Sequence, residues 1–139
     1  MIMNAAATTT RIVLVVEDDP AILALCRVTF ERAQSGPLPD VRMVAAPDLA
    51  SARQLIASEA PDVVVMDVRL PDGSGLDMVR ELRDGRAQDR LRIIVASASV
   101  LPSEREAAVS AGADRFLPKP YRPADLVDAV ADLLLRERR

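Results

Sequence analysis

From Arg11 onward the chain alternates short apolar runs with longer stretches whose apolar residues recur every three or four positions. The runs occupy 12–16, 41–44, 63–66, 91–95 and, more weakly, 114–117. Three of them are β-branched and nearly unbroken, as in a strand buried on both faces; a sheet with one wet face would alternate apolar and polar residues. A helical pattern follows each run. Asp19 then Pro20 reads as an N-cap with proline at the first helical position, leading into Ile22, Leu23, Cys26 and Phe30. Pro47 and Asp48 open a stretch with Leu49, Ala52, Leu55 and Ile56 on one face, and Gly73, Ser74 and Gly75 precede Leu76, Val79 and Leu82. Ser103 with Glu106 forms a capping-box pattern for a helix ended by Gly112. Pro123 opens the last helix, with Leu126, Val127, Val130, Leu133 and Leu134, and its basic end suits a helix C-terminus.

Five such β-α units without an internal linker predict one α/β domain over 11–139: a doubly wound, five-stranded parallel sheet with five helices on its two faces. Residues 1–10 lack apolar periodicity and are expected to form a mobile leader. In this architecture the strand carboxyl ends share one edge, and ligands bind where the strand order reverses. Chemistry is therefore to be sought in the residues just after each apolar run.

Composition removes whole classes of function. The length of 139 residues fits one domain, and the three aromatic residues, Phe30, Phe116 and Tyr121, leave the core to aliphatic side chains. With 18 basic and 21 acidic residues and no block of like charge, a nucleic-acid surface is not expected. No apolar run approaches the ~18 residues of a membrane span, and the start lacks the pattern of a secretory signal. The single cysteine, Cys26, rules out an internal disulfide and fits a cytoplasmic setting. The absence of histidine excludes Ser-His-Asp and Cys-His catalysis, His-ligated zinc, and phosphohistidine carried on this chain.

The strand ends carry a recurrent chemistry. Glu17, Asp18 and Asp19 follow the first run, Asp67 closes the third, Ser97 follows the fourth and Lys119 follows the fifth. Each has an ordinary structural explanation alone: Asp19 as a helix cap, Ser97 in a turn, Lys119 in solvent, Pro71-Asp72-Gly73 as a turn. Together they are harder to dismiss. Adjacent carboxylates repel and seek a cation, and an unpaired carboxylate after an apolar strand is costly. Clustered carboxylates suit a hard divalent cation that keeps some waters, which points to Mg²⁺. With Lys119 and the Ser97 hydroxyl they form a pocket for a tetrahedral oxyanion, and a carboxylate can act as a nucleophile toward phosphorus.

The chain resembles the receiver domains of bacterial two-component response regulators. The resemblance rests on the acidic pair in the segment 15–20, the segment 65–73 around Asp67, the Ser97-Ala98 pair, and Ala111-Gly112-Ala113 leading to Lys119-Pro120, covering 11–137. The intervals of 49 residues from Asp18 to Asp67, 30 to Ser97 and 22 to Lys119 are similar to the family's. The resemblance implies a flavodoxin-like sheet of order 2-1-3-4-5. It implies Asp67 as phosphoacceptor, assisted by Lys119 and Ser97, with Mg²⁺ held by Glu17, Asp18, Asp67 and the backbone carbonyl of Arg69. It further implies Ser97 and Phe116 as switch residues and a cis Lys119-Pro120 bond. Arg69 and Ser99 are expected to influence the lifetime of the phosphorylated state.

The function so implied is a phosphoacceptor that takes a phosphoryl group from a sensor histidine kinase or a histidine phosphotransfer protein and switches a protein-interaction face. It is not an enzyme, although it assists its own phosphorylation and dephosphorylation. Its partners would be that donor and a downstream protein not named by the sequence, with a homodimer as a further option. A complete chain would be a single-domain regulator; an excised one would be a module of a larger protein. Two alternatives stand beside this reading. One is a pseudo-receiver that binds without being phosphorylated, against which Asp18, Asp67, Ser97 and Lys119 argue. The other is a Mg²⁺-dependent phosphatase with an aspartyl nucleophile, disfavoured because Arg69 stands where haloacid-dehalogenase-type enzymes place a second Asp.

Overall fold

The computed structural model describes residues 10–85 and 91–137. All of the expected leader but Thr10, together with Arg138 and Arg139, lies outside the described residues. In chain order the elements are β1 (Arg11–Val16), α1 (Pro20–Ala33), β2 (Val41–Ala46), α2 (Leu49–Glu59), β3 (Val63–Asp67), β4 (Arg69–Leu70), β5 (Gly73–Ser74), α3 (Gly75–Asp84), β6 (Arg92–Ser97), α4 (Pro102–Ala111), β7 (Arg115–Pro118) and α5 (Pro123–Glu137). Five strands form a parallel sheet of order β2-β1-β3-β6-β7. This is the order 2-1-3-4-5 once the antiparallel hairpin of β4 and β5 is left out of the count.

Residues along each central strand alternate between two apolar layers because successive side chains point to opposite faces. Val13, Val15, Val63, Val65 and Ile94 pack with Cys26, Phe30, Leu126, Val130 and Leu133 of α1 and α5. Leu14, Val16, Val64, Met66, Ile93 and Val95 pack with Ile56, Leu76, Val79, Leu82 and Ala108 of α2, α3 and α4. Both faces are thus dry, which is why the strand runs are apolar throughout. Polar side chains fasten the strand starts: Asp62 accepts from Ile12 N at 2.8 Å, and Asp114 accepts from Ile93 N at 2.8 Å.

Most helix boundaries follow the sequence signals. Asp19 caps α1 by accepting from Ala21 N at 2.8 Å, and Gly112 ends α4 in the left-handed conformation at φ 113°. The start of α4 differs. No capping box forms at Ser103; Leu101 is the cap position, without a side-chain hydrogen bond. Pro102 explains the shift, since its fixed φ and missing N–H suit the first helical position and start the helix before Ser103.

Candidate functional site

The reversal of strand order lies between β1 and β3, and their carboxyl ends deliver Glu17 and Asp67 to the same edge. Parallel pairing places Val16 beside Met66, and Glu17 continues the ladder by donating its N–H to Ala46 O at 3.0 Å. Glu17 is 4 % exposed and Asp67 9 % exposed, while Asp18 is open to solvent. One oxygen from each of Glu17, Asp18 and Asp67 lies within 4.8 Å of the others. An all-oxygen donor set of this charge, with one open side, fits a hard divalent cation that retains water.

Lys119 reaches this cluster from the segment after β7. Its ammonium lies 2.6 Å from Glu17 Oε1 and 3.3 Å from Asp67 Oδ2. The backbone holds the lysine in place, because Lys119 N donates to Ser97 O at 2.8 Å. The Lys119-Pro120 bond is cis, as the resemblance implies. Burial pushes the Glu17 carboxyl above the usual carboxylate range, against the opposing effects of Lys119 and the Asp19 amide, which donates to Glu17 Oε2 at 3.1 Å. Burial acts to lower the Lys119 ammonium, but its contacts with Glu17 and Asp67 outweigh it and the net shift is upward. The charged pair is the form these contacts favour.

Ser97 ends β6, one residue beyond Ala96, which pairs with Asp67 across the sheet. The side chain is buried at 1 % exposure. Its hydroxyl donates to the Glu104 carboxylate in the first turn of α4 and accepts from Ser99 N at 3.1 Å. Ser99 in turn accepts from Leu101 N at 3.2 Å, so it shapes the approach to α4. Arg69 is exposed, with its guanidinium 3.8 Å from Glu104 Oε2 and its backbone paired with Ser74. Phe116 is half-buried in β7, and the Arg105 guanidinium lies 5.0 Å from its ring centroid.

The structure therefore brings Glu17, Asp18, Asp67 and Lys119 together, with Ser97, Arg69 and Phe116 joined to the same edge through α4. Three further residues matter that the sequence reading did not single out for this site. Glu104 sat unremarked inside a helical stretch; its contact with Ser97 depends on where α4 starts. Gly75 lies so close to Asp67 that an added Cβ would meet the Asp67 carbonyl oxygen at 1.9 Å. The signal was present in the Gly73-Ser74-Gly75 run, which reads equally as a turn. Asp72 accepts from Leu49 N at 2.8 Å and Ala50 N at 3.0 Å, tying the segment after Asp67 to the start of α2.

Comparison with known proteins agrees with this architecture. Residues 13–131 match the family model described as response regulator receiver domain. The chain is 40 % identical over 124 residues to the response regulator MprA of Mycolicibacterium vanbaalenii, an alignment covering 89 % of this chain and 50 % of that protein. It thus spans about half the length of the curated relatives it matches. Among solved structures it is similar to a CheY-like response regulator receiver domain protein from Methanospirillum hungatei, with a TM-score of 0.81 at 22 % identity, over 94 % of this chain and 98 % of that one. It is also similar to the BeF3-activated receiver domain of DrrB, a Thermotoga maritima protein, with a TM-score of 0.75 at 26 % identity, over 91 % of this chain and 99 % of that one.

Proposed function

The chain belongs to the response regulator receiver domain family, and on that premise we propose that it is the phosphoacceptor of a two-component phosphorelay, with Asp67 receiving the phosphoryl group. The donor is phosphohistidine on a sensor histidine kinase or a histidine phosphotransfer protein. An Asp67 carboxylate oxygen attacks phosphorus, the P–N bond breaks, and the leaving imidazole nitrogen keeps the bond's electron pair. The observation that carries this reading is the seating of Asp67 within reach of both a cation and a carboxylate cluster: Lys119 at 3.3 Å, and Glu17 and Asp18 oxygens within 4.8 Å.

Glu17, Asp18, Asp67 and the backbone carbonyl of Arg69 would hold Mg²⁺, which when bound supplies positive charge against the developing charge on the transferring group. Lys119 holds a phosphoryl oxygen from the opposite side, exchanging part of its contact with Glu17 for the new anion. Ser97 offers its hydroxyl to the same group, and Phe116 reports the change on the face formed by α4, β7 and α5. The output is a contact with a downstream protein, with self-association as an option. The protein turns over no separate substrate; it assists only its own phosphorylation and dephosphorylation. Among the described residues no helix is long and apolar enough to cross a membrane, and cytoplasmic residence with no direct nucleic-acid contact belongs to the same proposal.

Phosphoramidate, which carries the same P–N bond as phosphohistidine, tests this without the cognate kinase. In the presence of Mg²⁺ the intact mass is expected to rise by one phosphoryl group, and hydroxylamine is expected to displace that group as phosphate and leave a hydroxamate, as it does with an acyl phosphate. No mass gain with phosphoramidate or acetyl phosphate would favour the pseudo-receiver.

A further inference from the structure

The first turn of α4 is fastened to the sheet through two consecutive residues. Glu104 accepts the hydroxyl proton of Ser97 with one carboxylate oxygen, and its other oxygen lies 3.8 Å from the Arg69 guanidinium. Arg105 covers the ring of Phe116 at 5.0 Å. The rest of α4 is shallowly seated: only Ala108 and Ala111 are fully buried, no side chain caps its start, and Val100 and Leu101 before it are exposed. Two alanines bury little apolar area, so these polar ties decide where the helix N-terminus sits.

Ser97 has one proton to donate. In the structure that proton belongs to Glu104, although Ser97 stands beside Asp67 at the end of adjacent paired strands. A phosphoryl group on Asp67 would be a second and stronger anionic acceptor at the same place. It would also compete with Glu104 for Arg69. Both anions cannot hold the one donor. Resting on the reading of Asp67 as phosphoacceptor, we propose that Glu104 is a latch: its carboxylate keeps the Ser97 hydroxyl and the N-terminus of α4 in the unphosphorylated arrangement, and loss of that hydroxyl to the phosphoryl group releases the helix. Glu104 acts through Ser97 and is therefore a positioning residue.

Beryllofluoride with Mg²⁺, a mimic of the phosphoryl group, tests the latch on the full chain. Glu104→Ala removes a competitor for Ser97, and a hydrogen bond to a charged group is strong enough for beryllofluoride to bind about tenfold more tightly. Glu104→Gln keeps an acceptor without the charge and is expected to fall between the two. Without any ligand, the amide resonances of residues in α4 should move in Glu104→Ala toward their beryllofluoride-bound positions. In a Ser97→Ala background the tightening by Glu104→Ala should shrink to the small part that freeing Arg69 supplies, whereas a merely structural role for Glu104 would give the same change with or without Ser97. Unchanged or weaker binding in Glu104→Ala, or the same tightening with Ser97 absent, would overturn the latch while leaving the phosphoacceptor reading intact. Failure of the unsubstituted protein to bind beryllofluoride would overturn the phosphoacceptor reading and the latch with it.

Discussion

Lys119 Nζ lies 2.6 Å from Glu17 Oε1, although 102 positions separate the two residues in the chain. The sheet closes this distance by bringing the ends of β1 and β7 to one edge, and the ion pair is nearly buried, with side-chain exposures of 14 % and 5 %. Removing the cation leaves Glu17 and Asp67 facing each other unneutralised. Loss of one partner of a buried pair costs about 3–5 kcal/mol, and the partial exposure of Lys119 reduces the expectation for Lys119→Met to about 2 kcal/mol. A second cation should repair part of that loss. In urea unfolding, saturating Mg²⁺ is expected to stabilise Lys119→Met more than the unsubstituted protein; an equal or smaller gain would contradict the shared-charge account.

Gly75 provides a steric prediction. Its added Cβ would meet the Asp67 carbonyl oxygen at 1.9 Å and Met66 Cγ at 2.8 Å. The nearer obstacle is backbone, which cannot rotate away as a side chain can. Gly75→Ala is expected to cost at least the 1–3 kcal/mol typical of overpacking, about 3 kcal/mol here. It should also slow phosphorylation by acetyl phosphate, because the backbone that must shift carries Asp67. A variant with unchanged stability and rate would contradict the close packing of Gly75 against Asp67.

Asp72 gives a pH dependence with a definite sign. Hydrogen bonds from the backbone of Leu49, with a smaller contribution from Ala50, hold its carboxyl below the usual carboxylate range. A group whose folded pKa is depressed stabilises the fold above its unfolded value, about 3.9 for Asp, and loses that contribution as the pH falls through the folded pKa. The stability difference between the unsubstituted protein and Asp72→Ala should therefore be full near neutrality and shrink on acidification below about pH 4. Thermal unfolding of both proteins across that range measures it, and a difference that grows toward acid would refute the assignment.

The parallel sheet, four of the helix faces and the four charged residues of the site were legible because they depend on local signals and fixed topology, whereas the strand order came with the family resemblance. Unbroken β-branched runs imply a parallel sheet, and a parallel sheet puts Glu17, Asp67 and Lys119 at one edge. Three features were not legible, for separable reasons. The capping box at Ser103 yielded to Pro102, since two start signals competed within two residues. The contact of Glu104 with Ser97 depends on that helix start and on how α4 sits, neither of which periodicity specifies. The bonds from Leu49 and Ala50 to Asp72 join different β-α units, so the Pro-Asp-Gly run showed only its turn.

We propose that Arg69 and Ser99 bear on how long the phosphoryl group persists. Arg69 stands two residues past Asp67 and reaches toward Glu104, while Ser99 bonds to the loop before α4. Both therefore connect to the Ser97-Glu104 contact at the edge that carries Asp67. Replacing the two together by alanine should change the autodephosphorylation rate, measured by loss of the phosphoprotein after donor removal. An unchanged rate would count against their involvement.

The proposed carrier of the phosphoryl group is Asp67 itself. Treating the phosphorylated protein with borohydride reduces an aspartyl phosphate to homoserine, which marks the site permanently, and peptide sequencing by mass spectrometry then locates it. Asp67 as the acceptor predicts homoserine at position 67 only, dependent on Mg²⁺ and lost in Asp67→Asn. Homoserine at Asp18 or Asp72 in place of Asp67, or no conversion after donor treatment, would contradict it.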